Sequence, residues 1–184
     1  MFQNVITSFE NFSVKPFEAR HREAVLALWP ESEMLSQPGS DTVETLIDSV
    51  DRAIAGKLHM WVAKACRRVI GWVAVIPDND WLAHLRHLCV VPDLAERIVV
   101  ARGLAETAIR QARERGYLKL VVHTDLPPGR LATKLHELGF EFSREHSKGG
   151  EHVLEFYQNL YELPELSLSQ KTRKHVFDNE RSFP

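Results

Sequence analysis

The sequence predicts an α/β domain of the α+β kind, with one mixed, mostly antiparallel sheet and helices covering it. Three observations carry this. Apolar spacing switches along the chain between a period of two and a period near 3.6, in the order strand, two helices, three strands, helix, strand, helix, two strands. The run Leu118–His123 is apolar almost without interruption, as suits a strand buried on both faces. No Pro/Gly/Ser-rich linker splits the order, so residues 1–162 read as one domain and 163–184 as a polar C-terminal tail.

Each element has its own warrant. Ser13 to Phe17 is a short strand candidate. Arg20 to Trp29 follows as a helix with Val25, Leu28 and Trp29 on one face, ended by Pro30. Asp41 and Glu44 form a capping-box pattern ahead of Val43, Leu46, Ile47, Val50 and Ile54, and Gly56 stops that helix. Leu58–Ala65 and Val69–Ile76 are rich in β-branched and aromatic residues and join at Arg67-Arg68 as a hairpin. Pro77-Asp78-Asn79-Asp80 is a turn. After the His84–Val91 strand, a long amphipathic helix runs to Gly116. Leu131, Leu135 and Leu138 mark a further helix ended by Gly139. Phe140–His146 and Glu151–Tyr161 then flank Lys148-Gly149-Gly150 as a closing hairpin.

Composition excludes several function classes. With 184 residues, 44% hydrophobic and 26% charged, the chain is an ordinary single-domain globular protein. A formal net charge of −2 gives no electrostatic case for nucleic acid or an anionic membrane. Only Cys66 and Cys89 are present, in apolar strand-like runs. They read as two reduced core thiols, with no disulfide framework or metal site, and point to a cytoplasmic protein. No apolar run approaches the roughly 20 residues of a membrane span, and the N-terminus lacks the pattern of a secretion signal. Trp29, Trp61, Trp72 and Trp81 read as core or cleft walls, because no basic patch surrounds them. The tail's KTRKH run is too short and mixed to be a nucleic-acid arm.

The stretch Ala83–Gly116 holds the chemistry. A strand bearing His84, Arg86 and His87 feeds a helix, whose N-terminus offers free N–H groups and a positive dipole end to an anion. Strict alternation puts Arg86 on the face of His84 and His87 on the opposite one, where a structural role suits it. An imidazole, with an ordinary pKa near 6.5, is suited to accepting a proton at neutral pH.

The element order, Val90-Val91-Pro92 before the long helix and Leu138-Gly139-Phe140 after the last one resemble the GNAT superfamily of acyl-CoA-dependent N-acyltransferases, over approximately residues 13 to 161. The resemblance implies that the fourth and fifth strands, His84–Val91 and Leu118–His123, splay apart. It further implies that acetyl-CoA, as co-substrate, lays its pantetheine arm along Cys89, Val90 and Val91. The family's pyrophosphate loop would read Glu96-Arg97-Ile98-Val99-Val100-Ala101 here. Only Ala101 satisfies its motif, Val99 replaces a glycine, Glu96 replaces a basic or amide residue, and Arg97 and Arg102 supply positive charge. Backbone groups of Val99, Val100 and Ala101 would approach the phosphates.

In that family the base often lies eight positions before the proline, here His84. AHLRHLCV is similar to the histidine-bearing strand of the serotonin N-acetyltransferases, with Arg86 where a second histidine often stands. His84 and Arg86 are therefore the implied catalytic pair, and His123, at the end of the fifth strand, is a second-rank candidate. The family's tyrosine acid falls on Leu135, which cannot donate a proton, and the adjacent His136 should face elsewhere on its helix. Tyr157 or a water would have to substitute.

The implied function is an N-acetyltransferase moving an acetyl group from acetyl-CoA to a primary amine by direct attack in a ternary complex. The alternative is a catalytically weakened binding or regulatory module of the same fold. Expected partners are a small-molecule or peptide amine, with no nucleic acid and no membrane; a homodimer is allowed. Acceptor choice would rest on Arg20–Gly56 and Phe140–Tyr161, where Glu31, Glu33, Asp41 and Glu44 are available to a cationic amine or are simply solvated.

Overall fold

A computed structural model describes residues 12–29, 33–34, 42–92, 94, 97–124, 128–148 and 151–161. Strand β1 (Ser13–Pro16) leads through a 3-10 turn (Ala19–His21) into α1 (Arg22–Leu28). Then come β2 (Glu33–Met34), α2 (Val43–Ile54), β3 (His59–Ala65), β4 (Arg68–Pro77) and β5 (Leu82–Val90). The chain continues through α3 (Arg97–Glu114), β6 (Lys119–Thr124), α4 (Pro128–Glu137), β7 (Glu141–Lys148) and β8 (Glu151–Asn159). The sheet order is β1-β3-β4-β5-β6-β8-β7, with β2 paired to β5 beside this path. Among the described residues only β5 and β6 pair in parallel. β5 is the strand expected as fourth; β2, two residues long, carries no pattern that a sequence could announce. The expected tail lies outside the described residues.

Helices cover both faces of the sheet. On one face α3 sets Leu104, Ala105 and Ala108 against Val73, Val75 and Leu85, and Leu135 of α4 joins the same cluster. On the other, Val25 of α1 and Leu46 and Val50 of α2 pack on Val62, Trp72 and Ala74. Trp72 is fully buried, and an aromatic ring of that size is among the largest single apolar contributions a core receives.

Several local expectations change. The cap of α2 is Thr42, whose Oγ1 accepts the Thr45 N–H at 3.4 Å; the expected Asp41 lies outside the described residues. The β3–β4 hairpin turns at Cys66 and Arg67, with φ of 48° and 68°, one residue earlier than expected. Two left-handed residues in a row are what a two-residue hairpin turn needs to match strand twist. Cys66 is consequently exposed, not a core thiol, whereas Cys89 is buried as expected. Trp61 and Trp72 are core residues, but Trp81 is 51% exposed, because it follows the Asp78–Asp80 turn. There Asn79 Oδ1 accepts the N–H groups of Trp81 and Leu82 at 3.0 and 2.9 Å.

Two glycines are required where they stand. Gly139 ends the helical turn at φ +85°, and a Cβ there would meet the Gln158 amide at 2.8 Å. Gly71 lies opposite Val90 on β5, and its Cβ would sit 2.7 Å from the Cys89 carbonyl oxygen. Absence of a side chain at Gly71 lets β4 hold β5 closely where β5 approaches α3.

Candidate active site

The strands β5 and β6 pair over only three residues, from Leu82↔Lys119 to His84↔Val121. Beyond that point they part. Val122, His123 and Thr124 continue against Phe156, Glu155 and Leu154 of β8, while β5 follows β4. The fork expected between the fourth and fifth strands therefore opens just after His84.

A bulge in β5 decides which side chains face the fork. The β4–β5 register slips between Trp72 and Ala74, and His87 takes φ 52°. One extra residue on a strand reverses the alternation beyond it. His84 and Arg86 stand opposite Ile76 and Ala74, on the face of α1 and α2. His87 turns to that face too, contrary to the alternation argument. It is fully buried, its Nε2 lies 3.0 Å from Ser49 Oγ on α2, and Trp29 packs edge-on at 6.2 Å.

Around His84 the sheet assembles a group that sequence spacing does not show. His84 opposes Val121, so His123, two residues on, shares its face. The two imidazoles stack with centroids 5.4 Å apart and planes 29° from parallel. His123 Nε2 lies 3.3 Å from Glu155 Oε2 on β8, directly across the ladder. Arg144 of β7 donates to the same carboxylate oxygen at 3.1 Å, and His146 meets His123 edge-on at 5.9 Å. Tyr157 opposes Val121 on this face and donates to Glu141 at 2.7 Å.

Charge follows from this placement. Burial lowers the His84 pKa most and the nearby His123 lowers it further; Asp78 then raises it, with smaller opposing effects from Arg86, which lowers it, and Glu155, which raises it. His84 is thereby a free base at neutral pH. Burial also lowers His123, although the Glu155 hydrogen bond and charge pull the other way. Burial works against the Glu155 carboxylate, yet hydrogen bonds with Ser143, Arg144 and His123 hold its pKa below the usual range. The hydrogen bond to Glu141 raises the Tyr157 phenol, so it keeps its proton.

The expected coenzyme contacts are distributed unevenly. Cys89 and Val90 pair with Trp72 and Gly71 on one side and with Met34 and Glu33 of β2 on the other. The described part of the loop after Val91 passes Leu94 and enters α3 at Arg97, whose N–H reaches back to the Leu94 carbonyl at 3.1 Å. Arg97 and Val99 are exposed on the first turn, whereas Val100 and Ala101 turn inward to the core. Arg102 is paired with Glu106 at 2.8 Å, one turn along α3. Glu96 lies outside the described residues. Leu135 is buried in the core on the α3 side, and among the described residues no His/Cys/Asp/Glu cluster is arranged to hold a metal ion.

Sequence reasoning brought His84, Arg86 and the fork into view and missed Glu155, Arg144 and Ser49. Glu155 and Arg144 join the site only through β6–β8 and β7–β8 registers, and Ser49 only through the docking of α2. A glutamate alternating with Leu154 and Phe156 in a half-buried strand was the one available signal.

The model of the acetyltransferase (GNAT) family matches residues 22–140, well over half of the chain. Curated proteins give no match. Solved structures give many. The ribosomal-protein-S18-alanine N-acetyltransferase from Escherichia coli is similar at TM-score 0.67 and 14% identity, over 85% of this chain and 98% of that one. An aminoglycoside 6'-acetyltransferase of type Ii is similar at TM-score 0.67 and 14% identity, over 83% and 99%. A GNAT acetyltransferase from Elizabethkingia anophelis, solved with acetyl-CoA bound, is similar at TM-score 0.59 and 14% identity, over 82% and 99%.

Proposed function

The chain belongs to the GNAT acetyltransferase family, and from that membership we propose that it moves an acetyl group from acetyl-CoA to a primary amine by direct attack in a ternary complex. The observation that carries this reading is the fork after His84 and Val121, with a neutral, half-buried imidazole at its vertex. The acceptor arrives as an ammonium with pKa near 10 and cannot attack until it loses a proton. His84 takes that proton, and the freed amine adds to the thioester carbonyl. Collapse of the tetrahedral intermediate breaks the C–S bond and releases coenzyme A. A thiolate of pKa near 8.5 leaves without an obligatory strong acid, and Tyr157, the one phenol on the His84 face of β8, keeps the proton such a step would need.

Phosphates would meet the first-turn N–H groups of α3 at Ile98 and Val99, which have no intrahelical partner, beside the exposed Arg97. The thioester arm would run along β5. Leu85–Leu88 lie between the β6 and β2 ladders, and contacts at Cys89 and Val90 require β2 to yield. The acceptor, a small molecule or a peptide, would come from the α1/α2 side, where His123, Glu155 and Tyr157 also face. One observation favours a second reading, a weakened binding module: Leu135 fills the core where the family's acid stands.

Thermal-shift titration with acetyl-CoA, followed by free-thiol release over a panel of amines, tests the proposal. At 100 times Kd the ligand adds about 2.7 kcal/mol of stability. No shift at millimolar acetyl-CoA removes the enzyme reading, and a shift without thiol release against any amine selects the binding module.

A further inference from the structure

We propose that His123 is a positioning residue for His84: anchored by Glu155, its imidazole stacks on the His84 ring and makes the two titrate as one coupled proton station. This rests on the reading of His84 as the base. Geometry comes first. Stacking at 5.4 Å and 29° fixes the plane in which the His84 nitrogens lie. His123 is itself held from three sides: Glu155 Oε2 at 3.3 Å, the His146 ring edge at 5.9 Å, and the β6–β8 ladder beneath. The Glu155 carboxylate is in turn clamped by Arg144 at 3.1 Å. A side chain only 12% exposed and bonded in this way does not wander. The chain His84, His123, Glu155, Arg144 thus crosses four strands, β5, β6, β8 and β7, on the face open to the acceptor.

Charge then couples the rings. Two imidazoles in contact cannot both take a proton without mutual repulsion, so the first proton opposes the second. The groups that act on His84 are Asp78 from the β4–β5 turn, Arg86 on β5, His123 on β6 and Glu155 on β8. Those that act on His123 are Glu155, His146 of β7 and Arg86. When the ammonium proton passes to His84, the carboxylates of Asp78 and Glu155 both favour the charged ring, and Glu155 is bonded directly to His123 at 3.3 Å. That arrangement stabilises the charged pair while keeping each ring neutral at rest. The step is a proton transfer only: the N–H bond of the ammonium breaks, an N–H bond forms on His84, and solvent later removes it.

The test uses the full-length protein and two variants, His123→Gln and Glu155→Gln. The first keeps an N–H donor for Glu155 and deletes the titrating ring. Imidazole NMR titration reads the coupling without any turnover. In His123→Gln the His84 titration moves to higher pH, because its like-charged neighbour is gone. In Glu155→Gln the His123 titration moves to lower pH, because its anion is gone. In kinetics, His123→Gln lowers kcat about tenfold with KM for acetyl-CoA unchanged, and the acid limb of kcat moves to higher pH with the His84 titration. A His84 titration that stays put in His123→Gln overturns the proposal even if the enzyme is active. A moved titration in a protein that transfers no acetyl group upholds the coupling and overturns the proposed function instead.

Discussion

The bulge at His87 makes a sharp prediction about Ser49. His87 holds φ 52°, and left-handed backbone costs a non-glycine residue about 1–2 kcal/mol. Something must offset that. The buried Ser49 Oγ···His87 Nε2 hydrogen bond, 3.0 Å long, is the specific contact that spans from α2 to the bulge. Ser49→Ala leaves an imidazole nitrogen buried without this partner, at about 1–3 kcal/mol. The cavity is too small to add much, since only an oxygen is lost. Taking about 2 kcal/mol, a domain of this size melts about 4–8 °C lower. Urea denaturation followed by tryptophan fluorescence measures it as a lower midpoint at constant slope. His87→Asn, whose side chain tolerates the left-handed region, should lose less in Ser49→Ala background than in wild type, and a double-mutant cycle reads that coupling. A Ser49→Ala midpoint within error of wild type refutes the view that this bond holds the bulge.

Other outcomes follow from the same contacts. His84→Ala lowers turnover by about 10²- to 10⁴-fold and flattens the pH–rate profile, with acetyl-CoA affinity unchanged; equal activity removes His84 from the mechanism. Gly71→Ala places a methyl carbon 2.7 Å from the Cys89 carbonyl and costs about 1–3 kcal/mol as the two strands are forced apart, seen as a reduced urea midpoint. Acid stability has a definite sign. His21, His59, His84 and His123 all have pKa values lowered, first by burial. Below the ordinary imidazole value the unfolded chain binds more protons than the folded one, so stability falls as pH drops through that value. A melting temperature flat from pH 7.5 to pH 5 contradicts this.

What the sequence disclosed and what it concealed divide along a physical line. Apart from β2, the order of strands and helices was legible because burial imprints its period on each segment by itself. The β3–β4 hairpin, the Asn79 turn and the ends at Gly56, Gly116 and Gly139 were legible for the same local reason. The facing of His87 was not, since one inserted residue reverses a strand's parity and the insertion is set by pairing with β4 and docking of α2. Nor was the partnership of His123 with Glu155, 32 residues apart, which exists only in the β6–β8 register. Cys66 misled because a hairpin turn embedded between two apolar strands looks like their continuation.

The short strand β2 bears most on how the fork is used. Its backbone bridges Glu33 to Val90 and Met34 to Cys89, on the edge of β5 where the thioester arm is expected to bind. The same edge cannot serve two partners, so coenzyme and β2 compete wherever their hydrogen bonds coincide. Two ladder residues contribute little stability of their own, since a strand so short closes few bonds for the chain it orders. Bound acetyl-CoA, with its much larger buried area, should win. Hydrogen exchange reads the contest directly: saturating acetyl-CoA should speed exchange of the Glu33 and Met34 amides while slowing exchange at Ile98 and Val99. If Glu33 and Met34 stay equally protected in the bound state, the arm runs beside Leu85–Leu88 and the assignment of Cys89 and Val90 as its anchors is wrong.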